Sequence, residues 1–262
     1  MGGGEQRTAG LAHLLGMHGD EETAGADDVG LDLLSCFRCR TGDTEIRLPH
    51  ALCALIVTVA LEPGGLSRAS VQSRLWPDVP SPEAGKRLRQ ALWRVRRETG
   101  DRVLDVTPAQ VALAGGVDVD LREAERVARA VVKGEARAVA PAGTALLARE
   151  LLPGWTDEGV RAARDRWDRL RLHALERLAE HALASGDAPG AIELAEAATR
   201  VDELGETPHR LTAAAHLARG DHVSAWRVFL RYRRLLIEEI GLEPSSLFRN
   251  LFQQPEVRSL VS

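Results

Sequence analysis

The sequence predicts a mainly α protein in two parts: an N-terminal winged helix-turn-helix with small β-hairpins, followed by an all-α, tetratricopeptide-like helical domain. Three observations predict it. Between Leu31 and about Val119 the chain reads as a hairpin, three helices and a second hairpin, which is the winged helix-turn-helix order. From about Asp120 onward every pattern is helical. Within that second part "ALASGDAPGA" and "HLARGDHVSA" match at an offset of 34 residues. That is the tetratricopeptide period, in which a glycine at the tight turn and small residues at the contact let two antiparallel helices stack.

The elements follow in order. Residues 1–30 hold six acids, one base and eight glycines, too little apolar surface to offset the entropy of ordering, and read as a disordered acidic tail. "LDLLSCFRCRTGDTEIRL" reads as two strands around Thr41-Gly42-Asp43. "PHALCALIVTVALEPGG" is a largely buried first helix, opened near Pro49 and closed by Pro63-Gly64-Gly65. "LSRASVQSRLWPD" is a second, with Ser67 as N-cap, Val71 and Leu75 on one face, and Pro77 as its stop.

The third helix, "SPEAGKRLRQALWRVRRETG", has Ser81 as its expected cap, Pro82 in the first turn, Glu83 at the positive end of the dipole and Gly100 as its stop. "RVLDVTPAQVALAGG" then gives two short strands around Pro108-Ala109-Gln110. This winged unit is assigned to residues 31–119 and the helical domain to 120–252, with "PAGTALLARE" as a joint inside it and 253–262 as a C-terminal tail.

Composition narrows the function classes. The chain carries a net charge of -4 over 262 residues, yet the segment from Ala84 to Arg97 holds six bases and no acid. Successive helical residues turn by about 100°, so Leu88, Ala91, Leu92 and Val95 fall on the core side. Lys86, Gln90, Trp93 and Arg97 then face outward, with Arg89 and Arg94 on the flanks. Arginine serves phosphates and guanine edges, glutamine reads adenine, and an exposed aromatic meets a thymine methyl or a sugar. Overall negative charge does not oppose this, because screening confines the relevant field to about 10 Å around the contact. Trp93 has a second reading, folded over onto the preceding helix as core.

Other chemistry finds little support in the residues. Cys36 and Cys39 form a CxxC with no second pair to complete a zinc site, and with Cys53 they read as reduced structural thiols of a cytoplasmic chain. "AGKR" lacks the P-loop glycine, since Pro80 stands in its place, and Arg87 stands where Ser or Thr is needed. His173 and His181 lie more than two helical turns apart with no nucleophile beside them. The reading is therefore of a non-enzyme without cofactor or metal. No run reaches the roughly 18 apolar residues of a membrane span.

The run "LWPDVPSPEAGKRLRQALWRVRRE", with "LLPGW" at 151–155, "LRLHALERLAEHALASGD" and the closing "YRRLLIEEIGLEPS", resembles the Streptomyces antibiotic regulatory proteins, the SARP family, over roughly residues 31–250. The resemblance implies a transcriptional activator joining a winged helix-turn-helix to a bacterial transcriptional activator domain. It further implies binding to direct repeats in promoters of antibiotic gene clusters, with a second copy on DNA, and recruitment of RNA polymerase holoenzyme. The expected DNA-contacting set, read from the residues themselves, is Lys86, Arg87, Arg89, Gln90, Trp93, Arg94 and Arg97, with Thr107 and Gln110 at the wing. Family wings carry an aromatic and basic tip, and "DVTPAQVAL" departs from that pattern. The competing class is a protein-interaction adaptor whose winged unit does not bind DNA; steep salt dependence of duplex binding separates the two.

Overall fold

The computed structural model describes residues 29–135 and 141–253. The acidic tail read over 1–30 falls outside these residues except for Val29 and Gly30, which already belong to a strand. The C-terminal tail falls outside them except for Gln253.

Strands β1 (Val29–Asp32), β2 (Arg38–Thr41) and β3 (Thr44–Glu45) form the opening hairpin. They are followed by helix α1 (His50–Ala60), strand β4 (Leu66–Ser67), helix α2 (Arg68–Leu75) and helix α3 (Ser81–Thr99). Strands β5 (Leu104–Val106) and β6 (Gln110–Leu113) make the wing, joined on its edge by β4 in the order β4-β6-β5. Strand β7 (Val117–Val119) then returns to the first sheet and pairs parallel with β1, giving the order β3-β2-β1-β7. The opening strands, three helices and wing appear in the order read from the sequence, but the strand expected before Thr41 is two strands, β1 and β2, paired antiparallel, and β4 and β7 are added.

Local signals explain most boundaries. The Ser67 hydroxyl accepts from the Ser70 N–H and caps α2. Gly100 ends α3 in the left-handed region at φ 63°. The start of α3 differs from expectation: Pro80 occupies the cap position, and Ser81 is already helical with no side-chain cap bond. Gly65, between α1 and β4, has φ 71° and leaves no room for a methyl, whose position would lie 2.8 Å from the Ala112 Cβ and 2.9 Å from the Val111 carbonyl oxygen. Gly85 is the opposite case. It lies inside α3, and an added methyl would meet nothing closer than 3.8 Å. Gly85→Ala is expected to raise stability by about 0.5–1 kcal/mol, read as a higher midpoint in thermal melting.

The helical part comprises α4 (Asp120–Val132), α5 (Pro141–Leu147), α6 (Glu158–Ala184), α7 (Ala188–Thr199), α8 (Glu206–Ala218), α9 (His222–Ile240) and α10 (Ser246–Asn250). The segment read as a joint is the short helix α5, packed against α4 and α6. The repeat at offset 34 is structural. Asp187 and Asp221 each cap the next helix by accepting from the N–H three residues on, at 3.0 and 2.9 Å. Gly186 and Gly220 precede them at φ 82° and 74°. Ala191 and Ala225, the matched small residues, are fully buried where the helices touch.

The helical part does not keep its core to itself, although the sequence divides into two parts with different patterns. One buried cluster runs from Leu31 and Ile56 through Leu88 and Val127 to Trp167 and Leu175. A backbone seam reinforces it. The N–H groups of Leu33 and Leu34 donate to the two carboxylate oxygens of Asp120, at 2.8 and 3.0 Å. The Leu33 carbonyl accepts from the Leu152 N–H at 2.9 Å, and Leu34 bridges Leu151. Arg164 of α6 donates to the Leu151 carbonyl at 2.8 Å and also to that of Leu152. Trp155, the last residue of "LLPGW", stacks on His50 of α1 with ring centroids 4.8 Å apart. The motif is thus a splice between the halves.

Candidate nucleic-acid interface

Helix α3 is held by one apolar stripe, Ala84, Leu88, Leu92, Val95 and Thr99, all buried. The hydroxyl of Thr99 is satisfied within the helix by the Val95 carbonyl at 2.8 Å, so the stripe adds no unpaired polar group to the core. With that side fixed against α1 and α2, the 100° rotation per residue places Gln90 and Arg97 farthest from the core, flanked by Lys86 and Trp93. All seven α3 residues expected to meet DNA are exposed.

They are not electrostatically equal. Arg87 pairs with Glu83 at 3.4 Å, one turn earlier, and Arg97 pairs with Glu98 at 2.6 Å. Arg96 pairs with Asp101 beyond the helix end. The segment without acids is bracketed by acids that reach back into it. Lys86, Arg89 and Arg94 make no ion pair among the described residues, nor does the Gln90 amide make a hydrogen bond. These four carry the free charge and the free amide of the face.

Trp93 is not core. It is 59% exposed, with the Arg97 guanidinium carbon 4.9 Å from its ring centroid. A cation over an indole is attracted to the ring face and fixes it, so the pair presents one flat surface with charge at its edge. Between this surface and strand β5 runs a groove of about 580 Å³ lined by Arg68, Arg89, Trp93 and Arg96, with Asp101 and Asp105 on the wing side.

The wing residues are placed differently. The Thr107 hydroxyl accepts from the Gln110 N–H at 3.0 Å, and the Thr107 N–H donates to the Gln110 carbonyl at 2.9 Å, so both close the turn. The Gln110 side-chain amide donates to the Gly64 carbonyl, locking the wing to the α1–β4 turn. Both remain exposed, but their polar groups are largely engaged within the protein. The basic group at the wing comes from elsewhere. Arg68, first residue of α2, donates to the Thr107 carbonyl at 3.0 Å and lines the same groove as Arg89. Sequence reading missed it because Arg68 and Thr107 are 39 residues apart.

The cysteines lie away from this face. All three are free; Cys36 is exposed and lies just outside β2, whereas Cys39 and Cys53 are buried. Burial, with Cys53 nearby, pushes the Cys39 thiol up to about 11, which keeps it protonated and unreactive at neutral pH. Among the described residues no three His, Cys, Asp or Glu side chains are grouped to hold a metal. No described helix is long and apolar enough to cross a membrane.

A winged helix-turn-helix spliced to a stack of helical repeats, with a basic outward α3, defines a class of regulator-like architecture. The family profile of the bacterial transcriptional activator domain matches residues 117–254, more than half of the chain, and the chain belongs to that family. This is the domain that the resemblance to the SARP family implies for the helical part. The match begins at β7, inside the N-terminal sheet. Among solved structures, Mycobacterium tuberculosis EmbR in complex with a low-affinity phosphopeptide has the same fold, with a TM-score of 0.67 at 18% identity. The alignment covers 88% of this chain and 65% of EmbR, so the chain spans less than two thirds of that protein. No curated protein matches the sequence significantly.

Proposed function

We propose that this chain is a sequence-specific duplex-DNA-binding transcriptional activator that lays α3 in the major groove and acts in the cytoplasm. The observation that carries the reading is the outward face of α3, where Lys86, Arg89 and Arg94 stand without internal partners beside a free Gln90. Unpaired cations on one rigid helix cost nothing to release when a phosphate arrives, whereas Arg87 and Arg97 must first exchange a carboxylate. Trp93 with Arg97 supplies the apolar contact. Thr107 and Gln110 contribute at the wing only with the hydrogen-bonding capacity that the turn leaves over. The finer reading is of a pathway-specific regulator of a secondary-metabolite cluster that binds direct repeats as two copies and recruits RNA polymerase holoenzyme. It rests on the SARP-type arrangement.

Footprinting on fragments of the source genome locates the operator, and two substitutions then separate readout from anchoring. Gln90→Ala is expected to cost about 1–3 kcal/mol on the operator and to leave random duplex binding nearly unchanged. Arg94→Ala is expected to weaken operator and random duplex alike and to lower the log-log salt slope by about one unit. Identical profiles for the two variants would show that the assignment of Gln90 to a base and Arg94 to a phosphate is wrong.

A further inference from the structure

Helix α9 buries Ala225, Phe229, Tyr232 and Leu236 on one side, where α10 covers them with Phe248. Its opposite side is covered by none of the described elements. Val223, Leu230 and Ile237 recur every seven residues and are 58%, 40% and 42% exposed. A seven-residue apolar row on an α-helix is a seam for another helix, since it stays on one face over several turns. Along one side of the row, at the next helical positions round, stand Arg227, Arg231 and Arg234, none with an ion pair among the described residues. Glu238 is the one acid on that side. Beyond the arginines the surface falls into a groove of about 440 Å³ shared with α7 and α8, where Arg200, His209 and His216 lie with one acid, Glu196.

We propose that this outer face of α9 docks an amphipathic helix with an acidic flank, supplied by a protein partner. Apolar side chains of the partner cover the Val223–Leu230–Ile237 row, and its carboxylates meet Arg227, Arg231 and Arg234, reaching towards Arg200. Charge decides the occupant. A second copy of this chain packed through the same face would set arginine rows against each other with only Glu238 to offset them, and like charges so placed oppose docking. The DNA held by α3 is also a poor fit. The stack runs α6, α7, α8, α9 with α8 also touching α6, and α6 is the helix that touches α1, so α9 lies about two interhelical spacings, on the order of 18 Å, from the helix that meets the winged half. The proposal rests on the activator reading for the partner's role, but the contact itself does not need DNA.

The test uses the full chain and two fluorescein-labelled synthetic amphipathic helices that share one leucine row, one flanked by glutamates and the other by lysines. Fluorescence anisotropy is expected to show binding of the acidic peptide only, weakened at least about tenfold by Arg227→Glu/Arg231→Glu/Arg234→Glu. The triple variant is expected to take up the lysine peptide instead, and that swap shows the variant is folded and the face is the site. Leu230→Asp is expected to weaken acidic-peptide binding without altering duplex affinity. The proposal is overturned if the acidic peptide does not bind, if a random duplex competes it off α9, or if the face is covered by self-association that Leu230→Asp dissolves. Binding of the acidic peptide by a chain that binds no duplex at all would overturn the activator reading and leave this docking face standing.

Discussion

Trp167→Ala is expected to lower stability by about 3–5 kcal/mol and to melt both halves of the molecule in one transition. Trp167, in α6, is 1% exposed and lies in the cluster that also contains residues of β1, α1 and α3. Its indole N–H donates to the Arg149 carbonyl at 3.0 Å, just before the splice at residues 150–155. Truncation therefore removes a large apolar volume and orphans a carbonyl. Calorimetry, with a probe in each half such as near-ultraviolet dichroism and duplex binding, should give coincident midpoints. Two separate transitions, with the winged half unmoved, would show that the shared cluster does not couple the halves.

Asp120→Ala is expected to cost about 2–4 kcal/mol, because two adjacent amide N–H groups lose their acceptor together. The carboxylate is held largely out of water, and its burial raises it above the ordinary carboxylate range even though Leu33, Leu34 and Leu121 N–H groups bond to it. The site thus already bears a desolvation cost, which keeps the estimate below the sum of two fully orphaned donors. Asp120→Asn retains one acceptor and should recover part of the loss. Chemical denaturation of the three chains should rank them wild type, Asn, Ala; equal midpoints would remove Asp120 from the seam.

Short-range signals were legible in the sequence and long-range pairings were not. The Ser67 cap and the Gly100 stop each depend on residues within one turn, so their chemistry is written locally; Asp187 and Asp221 were legible as part of a repeat, and the structure shows that they cap helices. The outward face of α3 was legible too, because Leu88, Leu92 and Val95 fix its rotation. Strand β7 is three residues long and pairs parallel with a strand 88 residues earlier, and so short a segment has no periodicity to read. The seam of Leu33 and Leu34 with Asp120 and Leu152 was hidden for the same reason. Acids bracketing α3 were underestimated because Glu83 and Glu98 sit at the ends of the basic run and reach into it only once the helix forms.

If the free cations of α3 meet duplex phosphates, the affinity for duplex must fall steeply with salt. Titration of a labelled operator duplex, once footprinted, at several salt concentrations should give the wild-type chain a log-log slope of several units. Lys86→Ala/Arg89→Ala/Arg94→Ala should lower that slope by about three units, since each released phosphate contact contributes roughly 0.9. The melting midpoint should stay near that of the wild type, as none of the three side chains is buried or paired. A flat slope for the wild type, or a triple variant with the wild-type slope, would contradict the account.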